Sequence, residues 1–197
     1  MVIKDTNIKC NEYSNTVLLM VIFTLRFTLY PLLKTFCLSP QIITFAYYFR
    51  EKMSKAIIKT EKGDMTVEFY DKDAPNTVAN FLGLAKSGFY DNVTFHRVIP
   101  NFVIQGGDPT GTGAGGSGTR IDCELTGDNQ YHDRGVLSMA HAGRNTGSSQ
   151  FFICHSRDNT AHLDRNHTVF GKVVENVEVV DAIRQGDKIL GIDVIEG

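Results

Sequence analysis

Arg97 and Gln105 stand on either side of the proline turn in "FHRVIPNFVIQGG". With the turn centred near Asn101, antiparallel pairing sets these two opposite one another and Ile99 opposite Val103. Period-two alternation puts Phe95, Arg97, Val103 and Gln105 on one sheet face. A guanidinium that is always protonated would then lie beside a neutral amide on an apolar surface. The bland reading is an arginine that snorkels to water at a sheet edge. A second stretch, "SMAHAGRNTGSSQFFICH", has the same character. Gln150 and Phe152 share one face of their strand, and Ala140, His141 and Ala142 make a strip small enough for a ligand backbone to approach.

Between these stretches runs "GTGAGGSGT", which could serve phosphate or polypeptide chemistry. Gly111, Gly113 and Gly116 spell G-x-G-x-x-G, but a phosphate loop needs a helix to follow it. Here "TRIDCEL" follows, a strand pattern, so the phosphate reading fails. Glycine is better explained by sharp turns and close backbone approach.

Nucleophilic and metal chemistry find little support. The histidines, His96, His132, His141, His155, His162 and His167, could serve as a base for Cys154 or Ser138, yet no third orienting group is evident. No H-E-x-x-H or C-x-x-C spacing occurs, so neither a metal nor a cofactor is expected. Cys154 in "QFFIC" reads as a small buried hydrophobe, and the four cysteines suit a reducing compartment. His96 reads as a structural neighbour of Arg97.

The elements that must position these residues are legible from Ala56 onward. "AIIKT" and "MTVEFY" flank the turn "EKGD" as a hairpin. Asp73-Ala-Pro75 opens a helix whose stripe is Val78, Phe81, Leu82 and Ala85, closed by Gly88. Short apolar runs follow at "VTFHRVI", "FVIQG", "IDCEL", "GVLSMA", "QFFICH" and "TVFGKVV", then a helix in "NVEVVDAIRQG" and a last strand in "ILGIDVIE". The turns between these runs favour a sheet closed on itself or a sandwich, and about eight strands with two helices predict a mainly β barrel whose open ends the helices close.

Net charge is −2, unevenly spread: residues 1–52 carry six Lys/Arg and three Asp/Glu, the remainder fourteen and nineteen. The larger part has no basic excess, and no nucleic-acid partner is expected. Residues 17–49 are apolar, but Arg26, Pro31, Lys34 and Pro40 interrupt them, and Val17 to Leu25 is about half a spanning helix. A membrane association would depend wholly on residues 1–52, which also make a poor signal peptide. The expected division is therefore an N-terminal extension, 1–52, outside the working protein, and a functional domain, 53–197, for which Met53 would be a normal start.

Three blocks, "FHRVIPNFVIQGGDPTGTG", "GVLSMAHAGRNTGSSQFFI" and "HLDRNHTVFGKV", strongly resemble the cyclophilin family of peptidyl-prolyl isomerases, from about Ala56 to the C-terminus. The resemblance implies a closed eight-stranded antiparallel barrel capped by two helices, with the active groove on its outer surface. It implies Arg97 as the catalytic arginine, and Phe102, Val103, Phe152, His162 and Leu163 as the proline pocket with His167 at its edge. Gln105, Gln150 and the strip Ala140, His141 and Ala142 would hold the peptide, and the glycine segment 111–118 would border a neighbouring pocket. The implied substrates are proline-containing polypeptides, acted on without a cofactor by a cytoplasmic monomer that assists folding. Val103 stands where methionine is frequent, His141 where asparagine is frequent, and His162 where tryptophan is often found. The last departure implies weakened binding of cyclosporin-type cyclic peptides. The alternative is a proline-peptide binding module that holds a partner without turnover.

Overall fold

The computed structural model describes residues 53–195. The expectations for residues 1–52 fall outside them. Eight strands run β1 (Lys55–Thr60), β2 (Gly63–Phe69), β3 (Arg97–Ile99), β4 (Val103–Gly106), β5 (Val136–Met139), β6 (Phe151–Cys154), β7 (Val169–Glu175) and β8 (Ile189–Ile195). They form one antiparallel sheet in the order β3-β4-β6-β5-β7-β2-β1-β8.

The expected barrel is mainly β as anticipated, but it is not closed by a ladder. β3 and β8 end the strand order, and the seam between them is held by the single bridge Thr94↔Lys188. Backbone bonds from Asn92 to Ile189, Ile189 to Val93 and Phe95 to Asp187 flank that bridge. The long strand expected over 93–99 is accordingly cut to Arg97–Ile99, because residues 92–95 turn aside to bond residues 186–189, leading into the start of β8. Alternation does not survive the break. Phe95 is wholly buried in the main core, whereas Arg97 is exposed on the outer face.

"IDCEL" is not a strand. Ile121 keeps one isolated backbone bridge, its N–H to the Gly147 carbonyl, but further donors go to side chains: Cys123 N–H to Asn145 Oδ1, and Glu124 N–H to Thr168 Oγ1. The Glu124 carboxylate in turn accepts from the backbone amides of Asn76 and Thr77, at the head of α1 (Pro75–Lys86). Those amides have no partner within the helix, and Ala74, the residue preceding it, offers no side-chain acceptor.

α1 buries Thr77, Val78, Phe81 and Ala85, with Leu82 half-buried against the core. Phe81 meets Phe69, Tyr90, Phe151 and Phe170 with ring centroids 5.0 to 5.5 Å apart, the spacing of favourable aromatic pairs. The second expected helix is reduced to the single turn α3 (Val179–Ala182) against β2. Asn176 before it is left-handed, and the β-branched Val177, Val179 and Val180 lose rotamer freedom in a helix. A further turn, α2 (Arg157–Thr160), begins at Ser156, whose hydroxyl accepts the Asp158 amide. A 3-10 turn, Ala161–Leu163, continues it.

A candidate groove on the outer face of the sheet

The register of four strands builds the site. Arg97 pairs with Gln105, Gln105 with Phe152, and Phe152 with Ser138, one lateral row across β3, β4, β6 and β5. Because facing residues in a ladder point to the same side, the row lies on one face. Neighbouring positions Ile104, Phe151 and Ile153 point inward to the main core, and Val103, Phe152 and Cys154 form a second apolar cluster on the outer face with Phe102, Ala140 and Leu163. The Arg97–Gln105 and Ile99–Val103 pairings are those expected from the turn.

A pocket of about 280 Å³ opens over this row, lined by Arg97, Phe102, Val103, Gln105, Ala140, His141, Phe152, Leu163 and His167. Nine of the expected site residues therefore converge. His162 does not line it, but stacks on Phe102 with centroids 5.8 Å apart. Gln150 and Ala142 line a larger adjoining pocket instead, together with the glycine segment.

Arg97 is fixed from two sides. Its Nη1 donates to Gln105 Oε1 at 3.2 Å, and its guanidinium carbon lies 5.9 Å from the Phe102 ring centroid. Gln105 Nε2 donates to Gln150 Oε1 at 3.0 Å, and Gln150 Nε2 donates to the carbonyls of Gly113 (2.9 Å) and Gly115 (2.7 Å). The chain of bonds ends at Asp108, only 1% exposed, whose carboxylate accepts from Gly113 N–H at 2.6 Å and Gly115 N–H at 3.2 Å. Thr110 adds its amide and hydroxyl, each at 2.8 Å. Burial alone would raise the Asp108 pKa, but these donors hold it down at about 2. A Cβ on residue 115 would collide with that carboxylate, so glycine is required there. Asp108 was not among the expected site residues. Its signal was the Asp-x-Thr turn at the mouth of a glycine run.

A second network lies beneath Phe152. His132, with a fully buried ring, stacks on Phe152 at 5.8 Å. Its Nδ1 lies 3.1 Å from Asp164 Oδ1 and its Nε2 lies 2.9 Å from Ser138 Oγ. Arg157 clasps Asp164 with bonds of 2.9 and 2.6 Å. Asp164 is thus the third group that sequence reading missed, and the connectivity is that of a nucleophilic triad. Ser138 is wholly buried and also bonded to the Thr168 carbonyl, so no substrate carbonyl can reach it. The network braces the pocket rather than attacking anything. Cys154 is equally closed to chemistry, its thiol pushed up to about 12 by burial.

Burial pushes the His132 pKa down to about 4, against the opposing pull of Asp164. The unfolded chain therefore takes up this proton first. His132 contributes stability that is complete above pH 6.5 and lost as pH falls through about 4. The lost stability amounts to about 3 kcal/mol. Urea midpoints measured from pH 7.5 to 4 should fall steeply, and His132→Gln should flatten the profile; an unchanged profile in the variant would contradict this assignment. Groups facing His132 are Asp164, Arg157, Ser138 and His167, and His167 is itself held low, chiefly by burial, so it acts in the same direction.

At the rim, His141 stacks on His167 with centroids 4.0 Å apart, and His167 meets the edge of Phe152 at 5.5 Å. His141 Nε2 donates to the Asn166 carbonyl and Nδ1 accepts the Gly143 amide, so both ring nitrogens are engaged. His167 Nδ1 donates to the Met139 carbonyl at 3.1 Å. His96 lies outside the pocket, its two ring nitrogens buried without a protein partner beside the glycine segment. Among the described residues, no group of three or more His, Cys, Asp or Glu side chains is placed to hold a metal ion.

Residues 55–193 match the family model for the cyclophilin type peptidyl-prolyl cis-trans isomerase. A peptidyl-prolyl cis-trans isomerase of Synechococcus elongatus is 56% identical over 145 residues, covering 73% of this chain and 97% of that protein. Peptidyl-prolyl cis-trans isomerase B of Bacillus subtilis is 56% identical over 120 residues, covering 61% of this chain and 82% of that protein. Among solved structures, a Cryptosporidium parvum cyclophilin type isomerase crystallised in the presence of the dipeptide Ala-Pro is similar, with a TM-score of 0.66 and 35% identity. The match covers 73% of this chain and 99% of that one.

Proposed function

The chain belongs to the cyclophilin-type peptidyl-prolyl cis-trans isomerases, and on that premise we propose that it turns Xaa-Pro bonds of polypeptides in the 280 Å³ pocket, with Arg97 as the catalytic group. The observation that carries this assignment is the fixed guanidinium of Arg97 on the same sheet row as Phe152, at the mouth of an apolar pocket.

Rotation about an amide bond crosses about 18–20 kcal/mol because the C–N bond is partly double. No covalent bond is made or broken. The enzyme has only to hold the twisted amide better than either planar form. Twisting localises the lone pair on the prolyl nitrogen, which then accepts a hydrogen bond. Arg97 always has protons to donate, and Gln105 and Phe102 fix its plane before the substrate arrives. Phe102, Val103, Phe152 and Leu163 grip the proline ring, and His162, stacked on Phe102, shapes the wall. Gln105, Gln150 and the backbone of Ala140, His141 and Ala142 hold the flanking peptide, with His167 at the edge. Lowering the barrier by about 4 to 7 kcal/mol gives about 10³- to 10⁵-fold acceleration.

Substrates are folding or switching polypeptides, and the working unit is a monomer of residues 53–197 in the cytoplasm. Support for that unit comes from the Synechococcus relative, nearly all of which aligns with 145 residues of this chain. Among the described residues no helix is long and apolar enough to cross a membrane. The test is cis/trans exchange of an Xaa-Pro peptide: acceleration supports the isomerase, and binding without acceleration supports a scaffold. Cyclosporin-type peptides bind weakly because His162 offers less apolar area than an indole. His162→Trp should tighten that binding about tenfold in a calorimetric titration; no change would remove His162 from the binding wall.

A further inference from the structure

The pocket adjoining the proline site is larger, about 720 Å³, and chemically different. The two share Gln105, Ala140 and His141, so a chain seated in one continues into the other. In an extended peptide, side chains two residues apart lie on the same face, about 6.6 Å apart. With proline in the small pocket, a side chain two positions away falls into the large one.

That pocket is walled mainly by glycine, alanine and hydroxyl residues, which give room but little apolar grip. Arg120 is its one permanently charged lining residue, and no carboxylate lines it. The acids close to it in sequence lie outside that lining. Asp108 lies behind the glycine segment with its oxygens taken by Thr110, Gly113 and Gly115. Glu124 is held at the head of α1 by Asn76 and Thr77, and Asp122 does not line the pocket. Arg120 itself is exposed and makes no hydrogen bond or ion pair with a described residue.

We propose that this pocket takes an acidic side chain two residues from the proline, paired with Arg120, so that the chain favours acidic proline-containing polypeptides. The inference rests on the proline pocket assigned above. Neutral walls around a lone cation favour a carboxylate and repel a second cation, and an exposed pair of this kind is worth up to about fivefold.

The experiment uses peptides that differ only at the position two residues before or two after proline, carrying Glu, Gln or Lys. Dissociation constants come from NMR shift titration of the full chain, and kcat/KM from exchange on the same samples. On one side of the proline, Glu should bind about fivefold tighter than Lys, and the ratio should shrink in 0.5 M salt as about 4 Å screening sets in. Arg120→Glu should reverse the ratio. Arg144→Glu, the same charge change outside the pocket, should leave the ratio intact. Equal affinities on both sides, or an equal response in the two variants, would overturn the proposal. A Glu preference in binding with no acceleration would uphold the acidic pocket while sinking the catalytic reading. Acceleration without preference would do the reverse.

Discussion

Replacing Arg97 with alanine is expected to lower kcat/KM for Xaa-Pro isomerisation by about 10²- to 10³-fold, the usual consequence of losing a positioned donor to a transition state. Binding of proline peptides should weaken far less. The planar amide does not offer its nitrogen lone pair, so the bond from Arg97 strengthens only as the amide twists. Arg97→Lys should recover little, because an ammonium cannot donate simultaneously to Gln105 Oε1 and to substrate in the fixed plane that the guanidinium holds. Measured together, kcat/KM and Kd separate the assignment from its rival. Equal losses in both would make Arg97 a binding residue only.

The second large effect is expected at Asp108, well away from the proline pocket. Asp108→Ala removes the acceptor for the Gly113 and Gly115 amides and for Thr110, leaving donors in a tight segment without partners. A loss of about 3 kcal/mol or more is expected in urea unfolding. Activity should fall too, by about tenfold at temperatures where the variant is folded. The path is explicit: the glycine segment supplies the carbonyls that hold Gln150, Gln150 holds Gln105, and Gln105 holds Arg97. A tenfold change in activity is about 1.4 kcal/mol, a modest share of what the segment loses. Asp108→Asn keeps an acceptor and should sit between wild type and alanine. An alanine variant that unfolds and turns over like the parent would refute the role.

Much of this arrangement could be read along the chain because it rests on local rules. A proline turn with apolar strands on both sides fixes register, and register alone puts Arg97 opposite Gln105 and Val103 opposite Ile99. The helix stripe around Phe81 follows from its spacing. Most of the misreadings lie where a distant partner overrides a local pattern; the shortened second helix, limited by its own left-handed Asn176 and β-branched valines, is the exception. "IDCEL" has a strand's composition, yet the unpaired amides of α1 attract the Glu124 carboxylate, and the Asn145 and Thr168 side chains accept from the Cys123 and Glu124 amides. Phe95 alternates correctly on paper but belongs to the core, since the chain before β3 bonds the seam with residues 186–189 rather than the hairpin. Asp164 was missed for the same reason, since it acts on His132, which only folding brings near. Asp108 left a local turn signal, but what that turn supports, the segment that anchors Gln150, shows only in the fold.

One measurement reaches the central claim directly: exchange spectroscopy on an Xaa-Pro peptide with the chain present at a small fraction of the peptide concentration. Uncatalysed, the two isomers interchange over tens to hundreds of seconds and give no exchange cross-peaks on the one-second scale. The account predicts strong cis–trans cross-peaks with the parent chain and their disappearance with Arg97→Ala, while a separate titration with the variant in excess still moves the peptide shifts on binding. Cross-peaks of equal strength in the two proteins, or none in either, would contradict it.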